Sequence, residues 1–454
     1  MQFESKSLEI LAEGLKKLES GFTDLPDLNF NYDYKAMRYV LLEVADKLQK
    51  DNPYFHPYYI GHMIKQPHPM ARLAYMLALW INPNNHSFDS SKASSPMERE
   101  AVNEIARLFG WSTSLGHLCG GGTMANLEAL WISGKLNPDK LIVASEMAHY
   151  THARISEVLR LKFKSIPCNY LNQMDLNALE NELKKGKVGT VVVTIGTTGS
   201  GSIDPLPEIL SLKEKYGFRV HVDAAYGGYF ILADNLTEVS RAAFNYIRQA
   251  DSIVVDPHKH GLQPYGCGCV IFKNPDVGRF YKHDSPYTYF RSQDLHLGEI
   301  TLECSRPGAA AIALWATQKL LPMIPGGEFA LNLSRSRAAA LNLYTRLSRD
   351  KRFKAIFAPE LDIVIWSIQG EKVSQMSENV ERFLDRAVQN HLYLAKLKYP
   401  TKLINNAWKD VIMDSKYLTC FRSCLDQPEH LEWIDPIWDL LDKTANEVLR
   451  GIYN

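Results

Sequence analysis

The sequence predicts an α/β fold: a mainly parallel central sheet with helices on both faces, followed by a smaller C-terminal α+β domain. Two observations carry this expectation. Between about residues 97 and 275, short β-branched runs alternate with helical patterns, and each run is continuously apolar, as in strands covered on both faces. A Gly/Pro break at Pro322, Pro325, Gly326 and Gly327 then precedes a long helical pattern around residues 331 to 348.

The predicted strands are LIVAS (141–145), TVVVTIG (190–196), FRVHVDA (218–224), SIVVDP (252–257) and CVIF (269–272). Apolar residues at helical spacing run through Tyr39, Val40, Leu41, Leu42, Val44 and Leu48, and again near Leu73, Ala74, Met76, Leu77 and Trp80. The expected organisation is a helical N-terminal segment (1–90), a large domain (91–325) that binds its ligand at the carboxyl ends of the strands, and a C-terminal domain (326–454).

The composition narrows the function. Hydrophobic residues at 46% and charged residues at 22% are ordinary for a globular protein able to bury a sizeable core. Lys plus Arg (51) equal Asp plus Glu (51), so no positive field draws nucleic acid or an anionic membrane, and small-molecule chemistry is favoured. The seven cysteines are odd in number and scattered, a poor disulfide framework that fits a reducing cytoplasm. The start, MQFESKSLEI, has no signal-like pattern and no apolar run approaches membrane-spanning length, so the expectation is a soluble, untargeted protein.

Four motifs follow strands or open helices, in an order that makes chemical sense together. Asp256-Pro257-His258-Lys259 follows SIVVD: a lysine just past a buried strand can be desolvated until its amine is neutral and condenses with an aldehyde, although the same tetrapeptide also fits a surface turn. In His221-Val222-Asp223-Ala224-Ala225, a strand-end carboxylate can pair with a protonated ring nitrogen and the small Ala225 leaves room for a flat ring; a helix N-cap is the alternative. Gly120-Gly121-Gly122-Thr123 opens a helix whose free N–H groups can hold a phosphate, with Thr123 adding a hydroxyl, unless the glycines form a plain tight turn. His149, after LIVAS, can stack on a ring or act as a cap.

The stretch DSIVVDPHKHGLQPYGCGCVIFKN, with HVDAAYGGYF before it and LECSRPG after it, resembles the group II pyridoxal phosphate (PLP)-dependent amino acid decarboxylases. That family includes aromatic amino acid, tyrosine, histidine and glutamate decarboxylases, with sphingosine phosphate lyase as a relative. The resemblance covers roughly residues 50 to 325 well and the remainder loosely. It implies the aspartate-aminotransferase-like fold, fold type I, and PLP as cofactor. By it, Lys259 forms the Schiff base, Asp223 holds the ring nitrogen and His149 lies on the ring face. Gly122, Thr123 and His258 hold the phosphate, while Thr198 and Ala225 line the ring. It also implies a homodimer and a catalytic tyrosine, Tyr287 or Tyr289, on a loop beyond the sheet. The stretch from His56 to Pro69 resembles the part of these enzymes that shapes the substrate pocket.

The expected reaction is decarboxylation of an L-amino acid, aromatic first, to the amine and carbon dioxide, with glutamate or aspartate as alternative substrates. A carbon–carbon lyase like sphingosine phosphate lyase is the rival within PLP chemistry. A nucleotide-binding reading of Gly196 to Gly201 lacks the lysine of a P-loop. No metal is expected, because the histidines of residues 56–68 match no zinc spacing. Cys267 and Cys269 read as strand packing. Arg306 is a candidate for a carboxylate or phosphate contact as well as for a structural ion pair. In CGGGT (119–123), glycine stands where many members have a serine, removing one hydroxyl contact. Arg422 has no role by alignment, since the family's C-terminal arginine is expected nearer Thr419.

Overall fold

The structure, a computed structural model, describes residues 5–26, 30–282 and 297–450. Seven strands form the central sheet: β1 (Leu115–Cys119), β2 (Leu141–Ser145), β3 (Lys162–Ile166), β4 (Val188–Thr194), β5 (Arg219–Asp223), β6 (Ser252–Val255) and β7 (Gly268–Phe272). Their order is β1-β7-β6-β5-β4-β2-β3. β7 runs antiparallel to both neighbours and the other pairings are parallel, so six strands share one direction. Every residue of β4, β6 and β7 is buried, as expected where helices cover both faces.

The helices are α1 (Ser5–Glu19), α2 (Tyr34–Leu48), α3 (Pro69–Leu79), α4 (Ser94–Leu108), α5 (Gly122–Leu136), α6 (Thr151–Val158), α7 (Leu176–Leu183), α8 (Leu206–Tyr216), α9 (Glu238–Tyr246), α10 (Gly308–Leu320), α11 (Glu328–Arg349), α12 (Val373–Gln389) and α13 (Ile434–Arg450). Helices α5 to α9 each connect successive strands from β1 to β6, which carries the carboxyl ends of those parallel strands to one edge of the sheet.

A second sheet of β8 (Phe353–Ala355), β9 (Ile363–Ile368), β10 (Ala395–Pro400) and β11 (Tyr417–Cys424) is antiparallel throughout, in the order β10-β11-β9-β8. On α12, Val373, Met376, Val380, Phe383 and Ala387 recur at three- and four-residue steps and are all buried. Phe383 meets Trp366 and Phe421, whose own ring centroids lie 4.4 Å apart. Truncating a ring of this kind to alanine costs about 3–5 kcal/mol.

Among the polar contacts between this sheet and the segments that follow the strands of the first, two lie near the site. Tyr226 Oη donates to Asp362 Oδ1 at 2.6 Å, and an Arg422 N–H donates to the Thr198 carbonyl at 3.0 Å. At the other end of the chain, α2 buries none of its residues, leaving Tyr39 and Leu41 about 70% exposed (72% and 69%).

Candidate active site

The carboxyl ends of β1, β2, β4, β5 and β6 surround a cavity of about 500 Å³. Its walls include Gly122, Thr123, His149, Thr198, Asp223, Ala225, His258 and Lys259, so the strand order brings together eight sequence-predicted residues spread over more than a hundred positions. Tyr287 and Tyr289 lie outside the described residues.

Asp223 ends β5, and both its oxygens are held. Oδ1 accepts the Ala225 backbone N–H at 3.1 Å; Oδ2 accepts His152 Nε2 at 2.8 Å and Asn126 Nδ2 at 3.3 Å. Burial pushes its pKa up, but the hydrogen bond and charge of His152 and the charge of Lys259 outweigh it and hold the carboxyl well below the usual carboxylate range. Behind it, Asn126 Oδ1 accepts His221 Nε2 at 2.8 Å, and His221 Nδ1 meets Ser252 Oγ at 2.9 Å. This chain fixes Asn126 with its amide N–H toward the carboxylate.

The Gly121–Thr123 turn opens α5 beside the loop that follows β6. Gly121 has φ +146°, a conformation that side-chain-bearing residues rarely adopt, and a Cβ on Gly122 would stand 2.7 Å from Asp256 Oδ2. The space here exists because no side chain fills it. The first N–H groups of the helix have no partner within it and present positive potential to the cavity. His258 lies against this turn, its Cε1 3.2 Å from where a Cβ on Gly121 would stand, and its Nδ1 is buried without a hydrogen-bond partner among the described residues; burial lowers its pKa. His149 lines the cavity with Nδ1 2.9 Å from Thr151 Oγ1, and burial lowers its pKa as well. A glycine-lined helix start, a free imidazole nitrogen, an ionised carboxylate and a lysine around one cavity fit a flat ring that bears a phosphate and an aldehyde.

Lys259 Nζ is 2.9 Å from Asp256 Oδ2, and His258 Nε2 is 3.6 Å from the same oxygen. Asp256 opens the tetrapeptide singled out in the sequence but was given no role of its own there. His152 and Asn126 were missed, having no motif of their own. Arg306 turns out to be structural: it donates to Glu98 Oε1 (2.5 Å), the Leu118 carbonyl (2.6 Å) and the Asn85 carbonyl (3.1 Å), well inside the protein. Cys267 and Cys269 are buried and unpaired, Cys269 within β7. Arg422, given no role from the sequence, reaches Thr198 at the cavity wall.

The chain belongs to the family of pyridoxal-dependent decarboxylases, whose conserved domain matches residues 126–369, more than half of the 454. Its cofactor is accordingly pyridoxal phosphate. It is 28% identical over 397 residues to an L-tyrosine decarboxylase of Enterococcus faecium, covering 64% of this chain and 65% of that protein. It is 30% identical over 356 residues to an aspartate 1-decarboxylase of Aliivibrio fischeri, covering 68% of this chain and 63% of that protein. The chain thus spans somewhat less than two thirds of the length of these two relatives. The crystal structure of Oryza sativa TDC with PLP and tryptamine superposes with a TM-score of 0.77 at 16% identity, over 98% of this chain and 96% of that one. The shared architecture is the fold type I of the PLP-dependent decarboxylases.

Proposed function

We propose that this protein removes the α-carboxylate of an L-amino acid as carbon dioxide, leaving the amine. The observation that carries the proposal is the convergence of Lys259, Asp223, His149 and the Gly121–Thr123 turn on one cavity.

In this reading Gly122, Thr123 and His258 hold the phosphate, Lys259 is the point of covalent attachment, Asp223 pairs with the ring nitrogen, and His149, Thr198 and Ala225 border the ring. When bound, PLP supplies an aldehyde for the substrate amine and a ring that accepts electrons as the bond from Cα to the carboxylate breaks. The rest falls to the chain's own groups. Asp256, 2.9 Å from Lys259 Nζ, is placed to take the proton that the ammonium must lose before attachment. Asp223, ionised, favours a protonated ring nitrogen. Arg422 donates to the carbonyl of Thr198, a residue of the cavity wall, and we assign it the substrate carboxylate. A tyrosine, Tyr287 or Tyr289, is the expected proton donor to Cα.

An aromatic L-amino acid is the first substrate class, as for the tyrosine decarboxylase relative; the aspartate decarboxylase relative favours L-aspartate as the second. The exposed apolar face of α2 supports a homodimer, since a helix with Val40, Leu41 and Leu48 in water gains nothing from them until a second surface covers it. The seven unpaired cysteines accord with a reducing cytoplasm. Among the described residues no helix is long and apolar enough to cross a membrane.

The test is an absorbance spectrum before and after borohydride reduction, with peptide mapping, alongside carbon dioxide release from L-tyrosine, L-tryptophan, L-aspartate and L-glutamate. A visible band that reduction fixes onto Lys259, with release from one class, is expected. A fixed band without release, but with aldehyde formed from a phosphorylated amino alcohol, transfers the assignment to the lyase reading. Absence of any band after PLP addition refutes the proposal.

A further inference from the structure

His152 is the second residue of α6, 1% exposed, and its ring does not line the cavity. Its Nε2 lies 2.8 Å from Asp223 Oδ2. An ionised carboxylate only accepts, so the hydrogen is on Nε2. The other ring nitrogen, Nδ1, is buried with no partner among the described residues. Among the described residues the side chain therefore hydrogen-bonds to Asp223 alone.

Burying an imidazole with one nitrogen unsatisfied costs free energy that an apolar side chain at the same place would not. Among the described residues its ring makes no hydrogen bond to the other buried positions of α6: Ser156 Oγ is unpartnered and Thr151 Oγ1 pairs with His149. Without His152, Asp223 Oδ2 keeps only the 3.3 Å contact from Asn126, and Oδ1 keeps Ala225 N–H. Two donors on one oxygen, from α5 and α6, stop the carboxylate from rotating and leave its remaining acceptor capacity to the cavity. The low pKa of Asp223 agrees with this, His152 being the leading contribution that opposes burial.

We infer that His152 is a positioning residue, which fixes the Asp223 carboxylate toward the ring nitrogen of the cofactor and contributes to cofactor affinity without touching the cofactor. The inference rests on the assignment of Asp223 to the ring nitrogen.

The experiment is equilibrium PLP binding, followed by absorbance, to apo wild type and to His152→Phe, His152→Gln and Asp223→Ala, with the melting temperature of each apo protein. Loss of a hydrogen bond to a buried charge predicts PLP binding weaker by roughly tenfold or more in His152→Phe. His152→Gln, which retains an N–H donor of similar reach, should bind within about threefold of wild type. Equal affinity of wild type and His152→Phe overturns the inference, as does equal weakening in the Phe and Gln variants in step with lower melting temperatures, the mark of packing alone. If His152→Phe does not fold, the Gln variant compared with His152→Asn, whose shorter amide does not reach Asp223, decides by the same criterion. An Asp223→Ala protein that binds PLP like wild type removes the underlying assignment instead, a result distinct from the failure of His152 alone.

Discussion

Lys259 Nζ sits 2.9 Å from Asp256 Oδ2, and that same oxygen is the atom a Cβ on Gly122 would meet at 2.7 Å. The carboxylate thus faces both the amine proposed as the point of attachment and the turn proposed to hold the phosphate. At 2.9 Å the carboxylate is within reach of the lysine proton and is suited to act as the base as the amine attaches. Asp256→Asn cannot accept that proton. It should slow covalent attachment of PLP by about tenfold or more, read as the rate at which borohydride-fixable absorbance develops after mixing. An unchanged rate would show that solvent takes the proton.

Arg306 and Glu98 form a buried ion pair at 2.5 Å, 4% and 2% exposed in their side chains. Glu98 also accepts the Leu118 N–H at 3.0 Å and Asn85 Nδ2 at 2.6 Å, so it joins α4, β1 and the segment before α10. Arg306→Met leaves that carboxylate buried without its cation, which costs about 3–5 kcal/mol. Urea denaturation should register the loss, and the folded fraction should bind PLP with wild-type affinity, because Arg306 is not at the cavity.

This pair illustrates what the sequence could and could not reveal. The strands that were legible, such as LIVAS and SIVVDP, are apolar on both faces and stand out against any background. β1, LGHLC, and β3, KFKSI, were missed for physical reasons. β1 carries His117, buried with both ring nitrogens held, Nε2 by Glu128 at 3.0 Å and Nδ1 by the Leu118 carbonyl at 2.8 Å, and β3 is an edge strand whose lysines and serine face solvent. Residues that sit in local motifs, Lys259, Asp223 and the Gly122–Thr123 turn, were recognisable as candidates because those motifs follow strands or open a helix, and the structure brings them to one cavity. His152, Asn126 and Arg422 were not, because their roles depend on contacts made across α5, α6 and β11, which no local pattern encodes. Arg306 in a loop left two readings open, and only its partners decide between them.

His221 is fully buried, and its pKa is depressed to about 3, with burial the main cause. In the unfolded chain the imidazole returns to an ordinary pKa near 6.5, so between those values the unfolded state binds the proton and the folded state does not. The stability from this residue is complete above about pH 6.5 and falls as the pH drops through that window. Between pH 7 and pH 5 the loss is on the order of 2 kcal/mol. Asp204 and Asp426, each raised to about 7 by burial, tilt the profile the other way. They do so equally in wild type and in His221→Gln. The difference between the two proteins' unfolding free energies at pH 7 and pH 5 therefore isolates His221, and a difference near zero would contradict its burial as a neutral ring.

Helix α2 exposes Val40, Leu41 and Leu48 at 55%, 69% and 62%, too much apolar surface to leave on a lone helix in water. If a second copy of the chain covers that face, Leu41→Glu with Leu48→Glu places two charges in the contact. Sedimentation of the wild type should give a dimer, and the double variant should dissociate to monomer at micromolar concentration or weaken by about a hundredfold or more. A wild type that sediments as a monomer at all concentrations would reject the homodimer.

Arg422 is 9% exposed, donates to the Thr198 carbonyl at 3.0 Å and has a buried Nε with no partner among the described residues. A guanidinium offers five donors, and the Thr198 carbonyl and the neighbouring Cys424 thiol do not use them all. The unspent capacity, next to a residue that lines the cavity, is suited to a carboxylate delivered by substrate. Arg422→Met keeps the length and the packing of the stem but removes the charge, so KM should rise by about tenfold to a hundredfold. The affinity for PLP should stay at the wild-type value if, as proposed, the guanidinium serves substrate rather than cofactor. Arg422→Lys keeps a charge without the planar fork and should fall between the two. If instead both substitutions lower PLP affinity and leave KM unchanged, Arg422 serves to hold Thr198 against the ring, and the carboxylate must be held by another group.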